Sequence, residues 1–152
     1  MKTLARTRDK DEILERLTRV QPDSARRWGR MSAPEMVCHL ADACRMAMGQ
    51  KPASDASGLM QRTFVKWMAL YLPVQWPTGS LASRPEITAG TGGTRPGEFA
   101  SDVSELTVLI EQLSSGNPAG WPPHPVFGRL SRRAWMRWGY LHADHHLRQF
   151  GL

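Results

Sequence analysis

Four segments of this 152-residue chain carry apolar residues at helical spacing, and no stretch of convincing length alternates apolar and polar residues as a half-buried strand would. The first covers about 9–20, with Ile13, Leu14, Leu17 and Val20 on one face before "QPD" breaks it. The second opens on "MSAPEM", where Ser32, Pro34 and Glu35 have the spacing of a capping box. Its apolar stripe is Met36, Val37, Leu40, Ala41, Cys44 and Met48, and "GQKP" ends it. The third, about 101–113, aligns Leu106, Leu109, Ile110 and Leu113; the fourth runs from an N-cap at Ser131 to about Gln149, before Gly151. Four amphipathic helices of this kind predict an all-α, four-helix bundle in a single domain spanning 1–152.

Between the second and third helices lies an apolar stretch, "LMQRTFVKWMALYLP", which reads as an extra short helix covering the bundle. A long irregular crossover, about 73–97 and rich in Gly, Pro, Ser and Thr, follows it. Crossovers of that length inside a compact domain are functional, mobile or wrapped over the core.

Composition narrows the partners. The net charge of +6 raises nucleic acid, but the arginines are scattered, so a solvated cationic surface is the expectation and nucleic acid is not. No apolar run approaches the roughly 20 residues that span a bilayer, and the charged opening "MKTLARTRDKDEILERL" does not read as a signal peptide. Cys38 and Cys44, six apart on one helix, are too far apart for an unstrained disulfide and read as reduced thiols. A cytoplasmic protein without a membrane partner is therefore expected.

Three of the five histidines fall in "LHADHHLRQF" at the C-terminal end. On a helical wheel at about 100° per residue, Trp135, Gly139, His142, His146 and Gln149 share an arc of about 60°. Arg133, Arg137, Asp144 and Arg148 collect on the opposite, wet face, and His145 sits at the margin. Two imidazoles at i and i+4 can grip one ion, yet such a clamp lacks at least one ligand. His39 on the second helix is the natural third, although its flank position also suits a half-exposed surface histidine. Ala143 follows His142, so the pair is not the HExxH of zinc proteases.

Other residues carry alternatives. His124 in "PPHPVFG" is a candidate catalytic acid/base or substrate contact at the pocket mouth, or else orders the turn. Gln149, one turn past His146, is a candidate cofactor-binding pocket group. Asp42 could orient a ligand imidazole, but a solvated surface carboxylate is the plainer reading. Trp135 and Trp138 read as core walls, and Met46, Met48 and Met60 as packing residues.

The stretches "RWGRMSAPEMVCHLAD", "MVCHLADA", "HPVFGRLSRRAW" and "YLHADHHLRQF" resemble the DinB-like (DinB/YfiT-type) superfamily of metal-binding four-helix bundles, in a branch carried as a domain of unknown function. The resemblance covers about 28–150, excepting the long middle segment. It implies an up-down-down-up bundle with the crossover between helices 2 and 3. It also implies a divalent ion, zinc or nickel first and iron next, held by His39, His142 and His146. Relatives use low-molecular-weight thiols such as bacillithiol, mycothiol or glutathione, which implies a thiol-dependent S-transferase or isomerase acting on a small-molecule substrate. Hydrolysis by metal-bound hydroxide stays open, as does a homodimer. The rival expectation is a non-catalytic metal-binding bundle that serves as an interaction module.

Overall fold

The computed structural model describes residues 1–72, 75–78, 84–116 and 120–152. Residues 73–74 and 79–83 of the expected crossover, and 117–119 in the stretch expected to end the third long helix, lie outside the described residues.

Four long helices form where the periodicity predicts them: α1 (Thr7–Thr18), α2 (Ala33–Ala47), α4 (Phe99–Ser115) and α5 (Arg132–Gln149). The short apolar stretch folds as a π-helical turn, Gln61–Val65, that passes directly into α3 (Lys66–Tyr71). Among the described residues there is no strand, only isolated bridges, and no helix is long and apolar enough to cross a membrane. The molecule is thus all-helical, with four long helices bundled around one core.

Local chemistry fixes the helix ends. Ser32 accepts from the Glu35 amide while the Glu35 carboxylate accepts from the Ser32 amide, so the capping box forms as its spacing predicts. Ser131 accepts from the Ala134 amide and starts α5. The α4 start differs from expectation. Glu98 caps it, accepting from the Ala100 and Ser101 amides, so the helix begins two residues before Ser101. Glutamate is not among the favoured N-caps, which is why the sequence pattern pointed to the serine.

The four long helices close a ring in which α2 packs most extensively on α4, and α1 and α5 contact both a neighbour and each other. Polar pairs give the register. Leu4 meets Met136, Glu12 meets Tyr140 and Arg16 meets Asp144, so α1 and α5 rise together. Cys38 meets Asp102 and Arg45 meets Glu105, so α2 and α4 also share a direction. Along α2 and α5 the order reverses, since Trp28 meets Gln149 whereas His39 meets His142. The interior holds Ile13, Leu17, Met36, Val37, Leu106, Leu113, Trp135, Met136 and Leu147, each almost wholly removed from water. Burying side chains of this size, at about 1.5–3 kcal/mol each, supplies the main drive for closure.

Two departures concern single residues. Asp42, read as a surface carboxylate, is fully buried. It accepts from Arg45 at 2.9 Å, Lys51 at 2.8 Å, and both the amide (2.7 Å) and hydroxyl (2.8 Å) of Thr94. Burial pushes its carboxyl up, but the hydrogen bonds from Lys51 and Thr94 outweigh this and hold it below the ordinary carboxylate range. Met60, read as packing, is instead 67% exposed, because the apolar row Leu59, Met60, Phe64 and Trp67 faces outward from the π turn and α3.

The later crossover is wrapped over α2 and fastened to it. A single 3-10 turn, Pro85–Ile87, is flanked by ties from Arg84 to Ser54 and from the Ser54 amide to Glu86. Gly93 then passes so close to Thr88 that a Cβ would lie 2.6 Å from the Thr88 carbonyl carbon. Only glycine fits there, and the chain turns back to place Thr94 on Asp42.

Candidate metal centre

Helix α2 buries nearly every side chain because α4, α5 and the crossover cover different faces, and this removes His39 from the flank position that made it ambiguous. His39 is 2% exposed. Its Nδ1–H donates to the Ile87 carbonyl at 2.7 Å, which leaves Nε2 as a bare lone pair. That Nε2 lies 3.1 Å from Nε2 of His142, and the His39 ring centroid stands 4.7 Å from that of His146.

The ligating atoms of His39, His142 and His146 all lie within 4.8 Å of one another. Two imidazole nitrogens on one tetrahedral ion, each at 2.0–2.1 Å, stand about 3.3 Å apart. The 3.1 Å pair therefore has the spacing either of two ligands or of one hydrogen bond. The donor set favours the first use, because Nδ1 of both His39 and His146 is committed outward and each Nε2 faces the others' space.

Helix α5 supplies the other two rings from consecutive turns. His142 stacks on Trp138, centroids 4.7 Å apart and planes inclined by 19°, which fixes its ring plane. His146 Nδ1–H donates to Gln149 Oε1 at 3.1 Å, and Gln149 Nε2 donates to the Trp28 carbonyl at 2.7 Å. Gly29 makes room for this relay. Its φ is +80°, and a Cβ there would lie 2.2 Å from Gln149 Nε2. Gln149, expected to line the pocket, is 3% exposed and stands behind His146 instead, where it orients the ring. Residue 149 follows His146 by three positions on a helix packed against the 27–29 turn, so its amide is drawn to that backbone.

Electrostatics keep the three rings neutral. Burial lowers His39, with the Ile87 hydrogen bond in opposition. Burial lowers His142 and His146 well below the ordinary range, and the neighbouring imidazoles add to the effect. Neutral imidazole is the form that binds a metal.

A cavity of about 330 Å³ opens beside the trio, with His39 and His142 in its wall. Trp76, Trp138, Phe127, Met46, Met68 and Ile87 make much of the remainder apolar. His145, expected at the helix edge, is 7% exposed and also lines this cavity, because the chain at Trp76 covers that margin of α5. Trp135 is a core wall as read from the sequence, whereas Trp138 serves both core and cavity.

His124 lines the same cavity and is 5% exposed. Its Nδ1 accepts from the Val126 and Phe127 amides, each at 3.1 Å, so the turn-ordering alternative is realised. Burial pushes its pKa down to about 3. Burial disfavours the protonated ring, which weighs against the acid/base role that its position suggested. Cys38 and Cys44 are free, and burial raises them to about 11 and about 12, so neither supplies a thiolate near neutrality.

Sequence reasoning missed the roles of His145, Asp42 and the Ile87 carbonyl. For Asp42 a signal existed, since Arg45 follows three residues on along the helix and Lys51 comes soon after its end. A backbone carbonyl from a distant crossover leaves no mark in residue types.

Residues 2–151 match the family described as "Protein of unknown function (DUF1569)", and the chain belongs to that family. No curated protein and no solved structure matches significantly.

Proposed function

We propose that this protein is a metal-dependent enzyme in which His39, His142 and His146 hold one divalent ion, zinc or nickel first and iron next. The observation that carries the reading is the convergence of three neutral imidazoles from two helices, two of them in the wall of an apolar cavity. Closed structural sites take four protein ligands, whereas three leave room for a reactant. Such an ion supplies Lewis acidity and lowers the pKa of a coordinated thiol or water. The chain's own residues fix ring orientation through Ile87 and Gln149, keep the imidazoles unprotonated by burial, and exclude water with Trp76 and Trp138.

The paired directions of α1 with α5 and of α2 with α4 support an up-down-down-up bundle of the DinB-like kind. Within that reading we favour thiol-dependent transfer or isomerisation of a small molecule over hydrolysis. The described cavity-lining residues include no carboxylate to take a proton from water. We further assign the outward row of Leu59, Met60, Phe64 and Trp67 to a homodimer contact.

Metal content after purification without a histidine tag tests the reading. Wild type is expected to retain close to one ion per chain and His142→Ala far less. Equal, near-zero content in both excludes the metal enzyme and leaves a non-catalytic bundle whose histidines only pack. With metal present, a thermal shift with glutathione or cysteine, absent for matched alcohols, supports the transferase over the hydrolase.

A further inference from the structure

Arg84 is the one formally charged side chain among the described residues that line the cavity, since burial lowers the pKa of every histidine in the wall. No carboxylate answers that charge. Among the described residues none lies within ion-pair distance of Arg84, and residues 73–74, 79–83 and 117–119 include no Asp or Glu. Glu86, on the same 3-10 turn, accepts from the Ser54 amide at 3.0 Å instead. Arg84 is only half-buried. Its Nη2 donates to the hydroxyl of Ser54, an exposed residue that does not line the cavity, so the guanidinium stands at the rim, where the cavity meets water. One turn links this rim to the histidines: the Arg84 carbonyl accepts from the Ile87 amide at 3.1 Å, and the Ile87 carbonyl accepts from His39.

We propose that the cavity takes an amphiphilic monoanion, a small apolar carboxylic acid, whose carboxylate pairs with Arg84 at the rim while its body runs inward against Trp76, Trp138 and Phe127. The inference rests on the proposed function for the chemistry at the inner end of the ligand, although binding itself does not require the ion. Charge decides the head group. An unanswered cation beside an apolar wall attracts anions, because little water is present to screen it. A carboxylate held at the rim also keeps part of its hydration, which avoids the cost of burying an ion outright. The apolar walls decide the body, and about 330 Å³ holds a compact aromatic or alkyl group. The opposite orientation, with the carboxylate inward, would leave Arg84 unanswered and put the apolar body in water. Arg84 is thereby a specificity-determining residue: it selects the acid over an amide or amine of the same shape, and it sets which end of the ligand faces His39 and His142.

Affinities of 3-phenylpropanoate, 3-phenylpropanamide and 3-phenylpropylamine, which differ chiefly in charge, test the proposal by ligand-observed NMR on the protein as purified. The acid is expected to bind about tenfold tighter than the amide, the worth of one charge-assisted hydrogen bond, and the amine weakest of the three. Arg84→Met keeps the stem and removes the charge, so acid and amide should bind alike. Arg84→Lys keeps the charge and should retain most of the preference. Should Arg84→Met fail to fold, Arg84→Gln replaces it with the same expectation, and should both fail, Ala69→Phe decides, because Ala69 lines the cavity and a ring there should abolish binding of the acid. Equal affinities of acid and amide in wild type, a preference that survives loss of the Arg84 charge, or acid binding that survives Ala69→Phe overturns the proposal. A preference that survives Arg84→Met but disappears with a chelator places the carboxylate on the ion and overturns it too. The metal measurement fails separately: an Arg84-dependent preference without bound metal removes the ion and keeps this ligand, and metal without the preference does the reverse.

Discussion

Gln149 lies outside the cavity, yet its amide aims His146 by spanning from the imidazole to the Trp28 carbonyl. Replacing it with leucine keeps the bulk and removes both hydrogen bonds. Gln149→Leu is expected to weaken zinc binding by about 10–100-fold, as for other groups that orient ligand imidazoles, in a competition titration against a chromophoric chelator. His124 gives a pH signature of another kind. Its folded-state pKa of about 3 lies below the ordinary 6.5, so acid favours the unfolded chain, which takes the proton first. The stabilisation is whole above pH 6.5 and is lost progressively as pH falls towards 3, at up to about 1.4 kcal/mol per unit. Between pH 7 and pH 5, His124→Asn should therefore lose about 2 kcal/mol less than wild type in denaturant unfolding.

Elements were largely legible because each long helix announces itself through its apolar period, and α2 and α5 through a cap as well. Ser32 with Glu35 and Ser131 before α5 carry their signals in adjacent residues, whereas α4 begins on Glu98, a residue whose capping depends on local geometry. The crossover was legible only as a length. Its path is set by partners remote in sequence, Asp42 above all, which joins α2 to Thr94 and Lys51. Removing one charge of such a buried cluster leaves the others uncompensated. Asp42→Asn is expected to cost about 3 kcal/mol in unfolding free energy and to speed amide exchange at Thr94 more than in α5.

At the scale of the molecule, the candidate site is a product of packing rather than of any one segment. The wheel placed His142 and His146 together because both lie on one helix, and could not decide His39, whose burial comes from α5 and the crossover closing over α2. His145 escaped for the same reason, since its cover near Trp76 is distant in sequence. The outward apolar row on the π turn and α3 leads to an expectation in solution. Light scattering should give twice the 17.1 kDa chain mass, and Trp67→Glu, at a position 52% exposed, should halve it without unfolding the protein.

The acceptor that sets the tautomer of His39 is a main-chain oxygen. A point substitution at residue 87 leaves that oxygen in place, so the tautomer of His39 should survive exchanges that keep the buried, apolar Ile87 position packed. Lengthening or shortening the strap between Arg84 and Thr94 by one residue would carry the oxygen away and free the imidazole to rotate, so retention of the proposed ion is expected to fall. Indels in this strap, more than substitutions, are therefore its point of vulnerability.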